Sequence, residues 1–259
     1  MTDRARKPEP LDSWPDRLEA ACAAHPALGV AHVRVLAETA STQDAAWQAS
    51  AGRPGWLVIA GRQTAGRGRL GRAWADDAGH GLAMTLTLPA GTLSSVAVGL
   101  AVCRAANATL PEPLLGLRWP NDVVERADTG RKIAGVLTEA RGSVALVGIG
   151  VNVSHRGWPD QLRTRAASLH ELGADCTRVQ LACAIVGELA ETMRRDGAEI
   201  AREASVLNTL CGTARRFVHD GREHVGVVES ISPDGSIHLR TPQNGSVRLP
   251  AQTTSLVHE

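Results

Sequence analysis

The spacing of apolar positions changes period several times along the chain, and each change marks an element. Residues 1–12 are polar and proline-bearing and read as a loose leader; 13–24 has the length of one short helix. Positions 32–37 alternate as a strand does, and Ser41-Thr42-Gln43-Asp44 has the S-x-x-D form of a helix start. A buried-strand run at 57–60 leads into a glycine–arginine loop at 61–74. Residues 82–88 read as a strand with Met84, Leu86 and Leu88 on one face, and 93–110 as an alanine-rich helix. The segment 117–124 reads as extended, and strands follow at 133–139 and 144–151. Thr177 and Gln180 form a capping box, with Val179, Ala182, Val186, Leu189 and Met193 at helical spacing behind it.

From about Cys211 the texture shifts to short runs at 214–219, 224–229, 236–240 and 246–249. Asp220-Gly221, Pro233-Asp234-Gly235 and Asn244-Gly245 separate them, and such pairs between strand-like runs are hairpin signals. The pattern predicts a leader and short helix at 1–28, a larger unit at 29–207, and a small all-β barrel at 211–259.

Composition narrows this picture. Hydrophobic residues at 43% with 21% charged fit a soluble, core-forming chain and argue against disorder. With six Trp, one Phe and no Tyr, the core must come mainly from Ala, Val, Leu and Ile. A formal charge of +1 supplies no global field to steer nucleic acid or a membrane. Five cysteines with no C-x-x-C pair fit reduced thiols in a cytoplasm better than a disulfide framework. The basic N-terminus has no apolar run behind it, and no stretch approaches the roughly 20 apolar residues of a membrane helix, so a soluble cytoplasmic protein is expected. The nine histidines lack zinc-site spacing.

The loop at 61–74 carries the densest chemistry. Gly66, Gly68 and Gly71 spell G-x-G-x-x-G, yet no apolar helix follows and no acid lies between Asp77 and Glu112, which excludes the dinucleotide fingerprint. No G-K-[ST] is present, which excludes a Walker loop. The loop holds four arginines, Arg62, Arg67, Arg69 and Arg72, and the wider window 45–75 has no acid at all. Guanidinium forks grip carboxylate and phosphate oxygens, and glycines admit a ligand close to the backbone. An anionic ligand is implied; a solvated basic loop or an RNA patch is the plainer alternative, and Trp74 is the lone aromatic among the arginines.

Four motifs in order then resemble the biotin–protein ligase family. GRQTAGRGRLGRAW is similar to its G-R-G-R-x-G-R-x-W, RWPNDV to K-W-P-N-D, RKIAGVLTE to R-K-x-A-G-I-L-x-E, and GIGVNV to G-x-G-x-N-V. With Ser41-Thr42 they span 41–153. The resemblance implies an α+β fold: a mixed sheet with flanking helices, like a class II synthetase, plus a small C-terminal SH3-like β-barrel. It also implies a two-step reaction with ATP and Mg2+. The carboxylate of biotin attacks the α-phosphate of ATP, and a lysine of a biotin carboxyl carrier domain then attacks the biotinyl-adenylate. A carboxylate is already ionised at neutral pH, so the first step calls for cations rather than a general base.

By this resemblance Arg69, Lys132 and Asp122 are catalytic, with Arg69 holding the acyl-phosphate oxygens. Ser41, Thr42, Gln43, Gln63, Arg67, Gly68, Arg69, Lys132 and Gly135 would contact biotin. Arg67, Arg69, Arg72, Trp74, Arg118, Asn121, Lys132 and Asn152 would contact ATP, and Asp122 would hold Mg2+ or take a proton from the incoming lysine. Each has a plainer reading beside it. Ser41 and Thr42 suit a helix cap, Pro120-Asn121-Asp122 a turn, Trp74 a core aromatic, and Lys132 a solvated charge. The chain departs from the family in carrying Arg118 for Lys, Gln43 for Asn, and Leu70 where a third basic residue is common.

Two relatives of this chemistry are the alternatives. A lipoate or octanoate ligase would carry R-R-x-G-G-G, which is missing. A biotin-dependent repressor would carry a winged-helix domain ahead of the first catalytic strand, where only about 30 residues stand, so no DNA partner is expected. A homodimer is one open arrangement.

Overall fold

The computed structural model describes residues 10–75, 79–126, 130–155, 157–242 and 245–257. Most of the expected leader, Asp76-Asp77 and Asn244 of the expected Asn-Gly turn lie outside the described residues. In chain order the elements are α1 (Trp14–Ala24), β1 (His32–Leu36), α2 (Thr42–Ser50), β2 (Trp56–Ala60), β3 (Gly66–Arg67), β4 (Ala73–Trp74), β5 (Gly81–Pro89) and α3 (Ser95–Asn107). Next come β6 (Leu115–Arg118), β7 (Asp122–Glu125), β8 (Lys132–Arg141), β9 (Val144–Asn152), α4 (Asp160–Arg163), α5 (Arg178–Met193) and α6 (Gly197–Leu207). The C-terminal strands are β10 (Ala214–His219), β11 (Arg222–Ile231), β12 (Ile237–Arg240), β13 (Ser246–Leu249) and β14 (Thr254–Leu256).

Seven strands form one mixed sheet in the order β1-β2-β5-β9-β8-β7-β6. β1 and β2 run parallel and the remaining neighbours antiparallel. On one face, Leu57, Ile59, Met84, Leu86, Val147 and Ile149 bury against α3, α5 and α1, to which α1 contributes Trp14 and Leu18. On the other face α2 covers Val58 and Leu146 with Ala46. This second cover explains β5. Its apolar residues share one face as expected, but Thr85 and Thr87 on the opposite face are fully buried too, and Thr85 donates to the Thr42 hydroxyl at 2.9 Å. A Leu-to-Ala change in this core costs about 2–5 kcal/mol.

α5 begins where its capping box predicts, with the Thr177 and Gln180 caps both made. Its first residue, Arg178, is buried, stacks 4.8 Å over Trp14, and donates to the carbonyls of Gly61 and Gly81. That cation therefore pins the two points where the glycine–arginine loop leaves and rejoins the sheet. The expected single extended segment at 117–124 is instead two strands, β6 and β7, joined by a turn at Trp119-Pro120-Asn121 with a cis Trp119–Pro120 bond. Pro and Asn favour the turn, and burial of the Trp119 ring anchors it. α6, capped by Asp196, was not foreseen, although Ile200, Ala201, Ala204 and Leu207 fall at helical spacing on its core-facing side.

The C-terminal runs do form strands, in the order β13-β12-β11-β10-β14. Asp220 (φ 49°) and Gly221 (φ 73°) both take the left-handed conformation of the tight hairpin turn their sequence predicts. β13 and β14 stand at opposite edges, so the ladder is an open sheet rather than a closed ring. Phe217, Val228, Ile237 and Leu239 join the same continuous core as the larger sheet. No helix among the described residues is long and apolar enough to cross a membrane.

Candidate active site

The floor of the site follows from strand periodicity. Leu146, Gly148, Gly150 and Asn152 alternate along β9 toward the α2 side of the sheet, and Gly135 of β8 pairs with Gly150. Beyond Leu146 the missing side chains leave a trough, and neighbouring groups fill its margins. A Cβ on Gly150 would stand 2.6 Å from the Trp74 ring, one on Gly148 2.8 Å from Gln43 Nε2, and one on Gly135 2.9 Å from Lys132 Nζ. A single methyl group at these positions would displace Trp74, Gln43 or Lys132. Gly148 and Gly150 were absent from the sequence-based set. Their signal was present in Gly148-Ile149-Gly150, since a G-x-G on a strand clears one face twice.

Along one wall Lys132 opens β8 and Asp122 opens β7. Lys132 Nζ lies 2.7 Å from Asp122 Oδ1, and Arg118 Nη2 lies 3.1 Å from Asp122 Oδ2. Burial alone would raise the Asp122 carboxyl; Lys132 and Arg118 outweigh it and hold the pKa below the usual carboxylate value. Lys132 also sits 5.2 Å from the centre of the Trp74 ring, so its charge rests between a carboxylate and an aromatic face. Arg118 donates as well to the Gly130 carbonyl.

At the opposite wall the N-terminus of α2 points into the cleft. Ser41 is buried but its hydroxyl does not cap the helix. Gln63 caps it instead, its Oε1 accepting from the Thr42 N–H at 2.8 Å and the Thr42 hydroxyl at 3.0 Å. Gln43 donates to the Leu137 carbonyl at 2.8 Å, while its Oε1 is buried without a hydrogen-bond partner among the described residues. An acceptor in that state costs stability until a donor arrives.

The four loop arginines fare differently from one another. Arg62 pairs with Glu38 at 3.0 Å near the surface. Arg67 forks onto Asp44 at 2.6 and 2.8 Å, which raises its pKa and lowers that of Asp44. Arg69 reaches across the cleft to the C-terminal sheet, where its Nη2 donates to the carbonyls of Ala251, Gln252 and Thr254; burial pushes its pKa down. Arg72 makes no ion pair among the described residues. The acid-free window 45–75 thus misleads, because the counter-ions Glu38 and Asp44 stand just upstream of it.

These groups enclose two adjoining cavities. One, about 170 Å³, is lined by Ser41, Thr42, Gln43, Gln63, Arg67, Gly68, Arg69, Asn121 and the glycine floor, and by Ser255 and Leu256 of β14. The other, about 440 Å³, is lined by Asn152, Trp158, Arg165 and the start of β8. Arg72, Trp74, Arg118, Asp122 and Lys132 line both. Every residue expected at the site lines one or the other. Asn152 spends its amide nitrogen on the Lys132 and Ala167 carbonyls, so it braces the start of β8. Asn121 similarly donates to the Val136 carbonyl. Trp158 and Arg165 were not foreseen; they lie in a region without a recognisable motif and reach the cleft through tertiary packing.

Comparison with known proteins adds a second line. Residues 33–155 match the family model described as the biotin/lipoate A/B protein ligase family. A biotin–[acetyl-CoA-carboxylase] ligase of Mycobacterium tuberculosis is 33% identical, over 92% of this chain and 93% of that one. The chain belongs to the biotin/lipoate A/B protein ligase family. Among solved members, the Aquifex aeolicus biotin protein ligase in complex with biotin and ATP superposes with a TM-score of 0.78 at 26% identity, covering 88% of this chain and 100% of that one. The Leishmania major biotin protein ligase in complex with biotinyl-5-AMP gives 0.60 at 25% identity, over 85% and 99%. Family membership accounts for the order of the four motifs, and the cavities give each motif a place.

Proposed function

We propose that this chain is an ATP-dependent biotin–protein ligase that makes biotinyl-5′-AMP and transfers biotin to a lysine of a carboxyl carrier domain. The observation that carries the reading is the shared wall. Lys132, Arg118 and Arg72 stand between two cavities, where a carboxylate in one and a phosphate in the other would otherwise repel. The smaller, glycine-floored cavity takes biotin, with the buried Oε1 of Gln43 open to a ligand N–H. The larger takes the nucleotide against Trp74, Trp158 and Arg165. The relatives named for biotin, and the neighbours solved with biotin, ATP or biotinyl-5-AMP, support the same assignment.

In the first step a carboxylate oxygen of biotin forms a bond to the α-phosphorus of ATP and pyrophosphate leaves. Lys132, oriented by Asp122, and Arg118 neutralise the charge that builds on the phosphate oxygens, while Arg69 steadies the acyl end. In the second step the neutral amine of the carrier lysine bonds to the acyl carbon, the bond from that carbon to the phosphate oxygen breaks, AMP leaves, and the proton shed by the nitrogen passes to water. Asp122, held ionised between two cations, is a weak base, so its place is to orient Lys132.

Asp122 does not fit a protein-held magnesium site. Lys132 and Arg118 occupy its two oxygens, and no group of three or more metal-binding side chains converges among the described residues. Magnesium belongs instead with the phosphates of the incoming ATP, a usual arrangement for that ion. We further read 29–207 as the catalytic unit, of the class II synthetase type, and 211–259 as an SH3-like module. The carrier is a carboxylase domain and the setting the cytoplasm. Exchange of labelled pyrophosphate into ATP, run in turn with biotin, lipoate and octanoate, tests the reading. Exchange driven by biotin supports it; exchange driven only by lipoate or octanoate overturns it.

A further inference from the structure

We propose that the segment 251–254 of the C-terminal sheet is a positioning element for the reaction, acting through Arg69. The inference rests on the ligase reading for its catalytic consequence but not for its geometry. A guanidinium has five N–H donors. In Arg69 the Nη2 donors are taken by three carbonyl oxygens, of Ala251 at 2.6 Å, Thr254 at 3.0 Å and Gln252 at 3.3 Å. Among the described residues Nη1 makes a single long contact, 3.5 Å, to Asn121. Nε and the rest of Nη1 are therefore the donors left for an anion in the cleft. The carbonyls fix the plane of the fork without neutralising its charge, which a carboxylate partner would do.

The loop itself does not fix Arg69. Leu70, the next residue, has left-handed backbone (φ 57°) and an exposed side chain; the β3–β4 ladder, the Gly68–Arg72 hydrogen bond and the 3.2 Å bond from the Arg72 N–H to the Arg69 carbonyl hold the loop's backbone and leave the Arg69 guanidinium to other partners. An arginine on such a loop keeps most of its rotamer freedom unless something beyond the loop holds the head group. The C-terminal segment is that support, and it is itself well anchored. Ala251 and Thr254 are buried, β14 pairs with β10, and β10 carries Phe217 edge-on to Trp119 at 5.6 Å. The Trp119 indole in turn donates to the Gly235 carbonyl at 2.8 Å. The turn bearing Asn121 and Asp122 and the loop bearing Arg69 are thus held by one and the same sheet. A small displacement of a group that must meet a reacting anion costs up to about 100-fold in rate.

The test is a cycle on the full-length protein, using Arg69→Ala and a loosened tail, Gln252→Gly with Thr253→Gly, which keeps the strand and its core residues. Hydrogen exchange of the loop amides 66–74, with no ligand present, reads the clamp directly. Each change alone is expected to speed exchange at Gly68 at least tenfold, and the combination no further. Biotin-dependent pyrophosphate exchange reads the consequence. The loosened tail should lower kcat about 10- to 100-fold in the wild-type background and less than twofold beside Arg69→Ala. Unchanged loop protection overturns the clamp. Equal losses of rate in both backgrounds also overturn the proposal, because they show a general structural effect. If biotin drives no exchange in the wild type while loop protection still depends on the tail, the ligase reading fails and the clamp stands.

Discussion

The sheet-borne and loop-borne halves of the site solve the same problem in opposite ways. Lys132, Asp122 and the glycine floor sit on paired strands, and their positions are fixed by ladder hydrogen bonds before any ligand arrives. Arg62 and Arg69 sit on the loop and Arg67 on the two-residue strand β3 within it, and they are each occupied elsewhere, by Glu38, by the C-terminal carbonyls and by Asp44 respectively. The sheet half is therefore preorganised, whereas the loop half is held by partners that are not substrate. A cluster of like charges in a sequence is a statement about a segment; which of those charges faces a ligand is decided by acids and carbonyls elsewhere in the chain.

That contrast is breakable at several points. Lys132→Ala removes the preorganised cation from the shared wall and should lower adenylate formation by about 100- to 1,000-fold; the thermal midpoint should fall too, because the buried Asp122 keeps only Arg118 as a partner, and single-turnover kinetics on the folded fraction would read the rate. Loss below tenfold would mean that the loop arginines carry the phosphate charge. Gly150→Ala forces Trp74 off the floor and should raise the KM for ATP by about tenfold, with a smaller effect on biotin. Equal shifts for both substrates would remove the division between the cavities.

Smaller effects belong to the loop. Asp44→Ala and Arg67→Ala should match each other, each lowering activity severalfold and stability by no more than about 1 kcal/mol, since the pair is substantially exposed. A much larger loss for Arg67→Ala than for Asp44→Ala would show that Arg67 meets substrate itself. Arg62→Ala should leave activity unchanged and stability within about 0.5 kcal/mol. Smallest of all is the expected effect of mild acid on Asp122. Its folded pKa lies below the unfolded value, so its stabilising pairing is present above the ordinary carboxylate range and is lost only as pH falls through the lowered value. A pH–rate profile should show no Asp122 limb between pH ~5 and ~8. A limb there that disappears in Asp122→Asn would contradict the pairing.

The legible parts of this molecule were those with a local cause. The capping box of α5, the Asp220-Gly221 turn and the strands flanking the floor all follow from nearest-neighbour chemistry, and each stands where the pattern puts it. β14 escaped because a polar strand such as Thr254-Ser255 carries almost no apolar contrast, whereas α6 did carry a signal, Ile200, Ala201, Ala204 and Leu207 falling at helical spacing, and was missed. The residues expected at the site all line the two adjoining cavities, but their contacts were not legible. The link between Arg69 and Ala251 spans 182 positions, and nothing local to either residue announces it. At 117–124 the turn was legible in Pro120-Asn121-Asp122, but the pairing of its flanks into two strands was not, because the anchor of that turn, Trp119, is held by a later segment.

Lys132 and Arg118 stand, on this reading, where carboxylate and phosphate meet. A crystal structure with biotin and a non-hydrolysable ATP analogue bound together tests that placement most directly. The expected complex has the biotin ring system over Gly148 beside Gln43, the adenine against Trp74, and Lys132 Nζ within hydrogen-bond distance of both the carboxylate and the α-phosphate. A complex with the two ligands bound and Lys132 still facing only Asp122, remote from their junction, would contradict it.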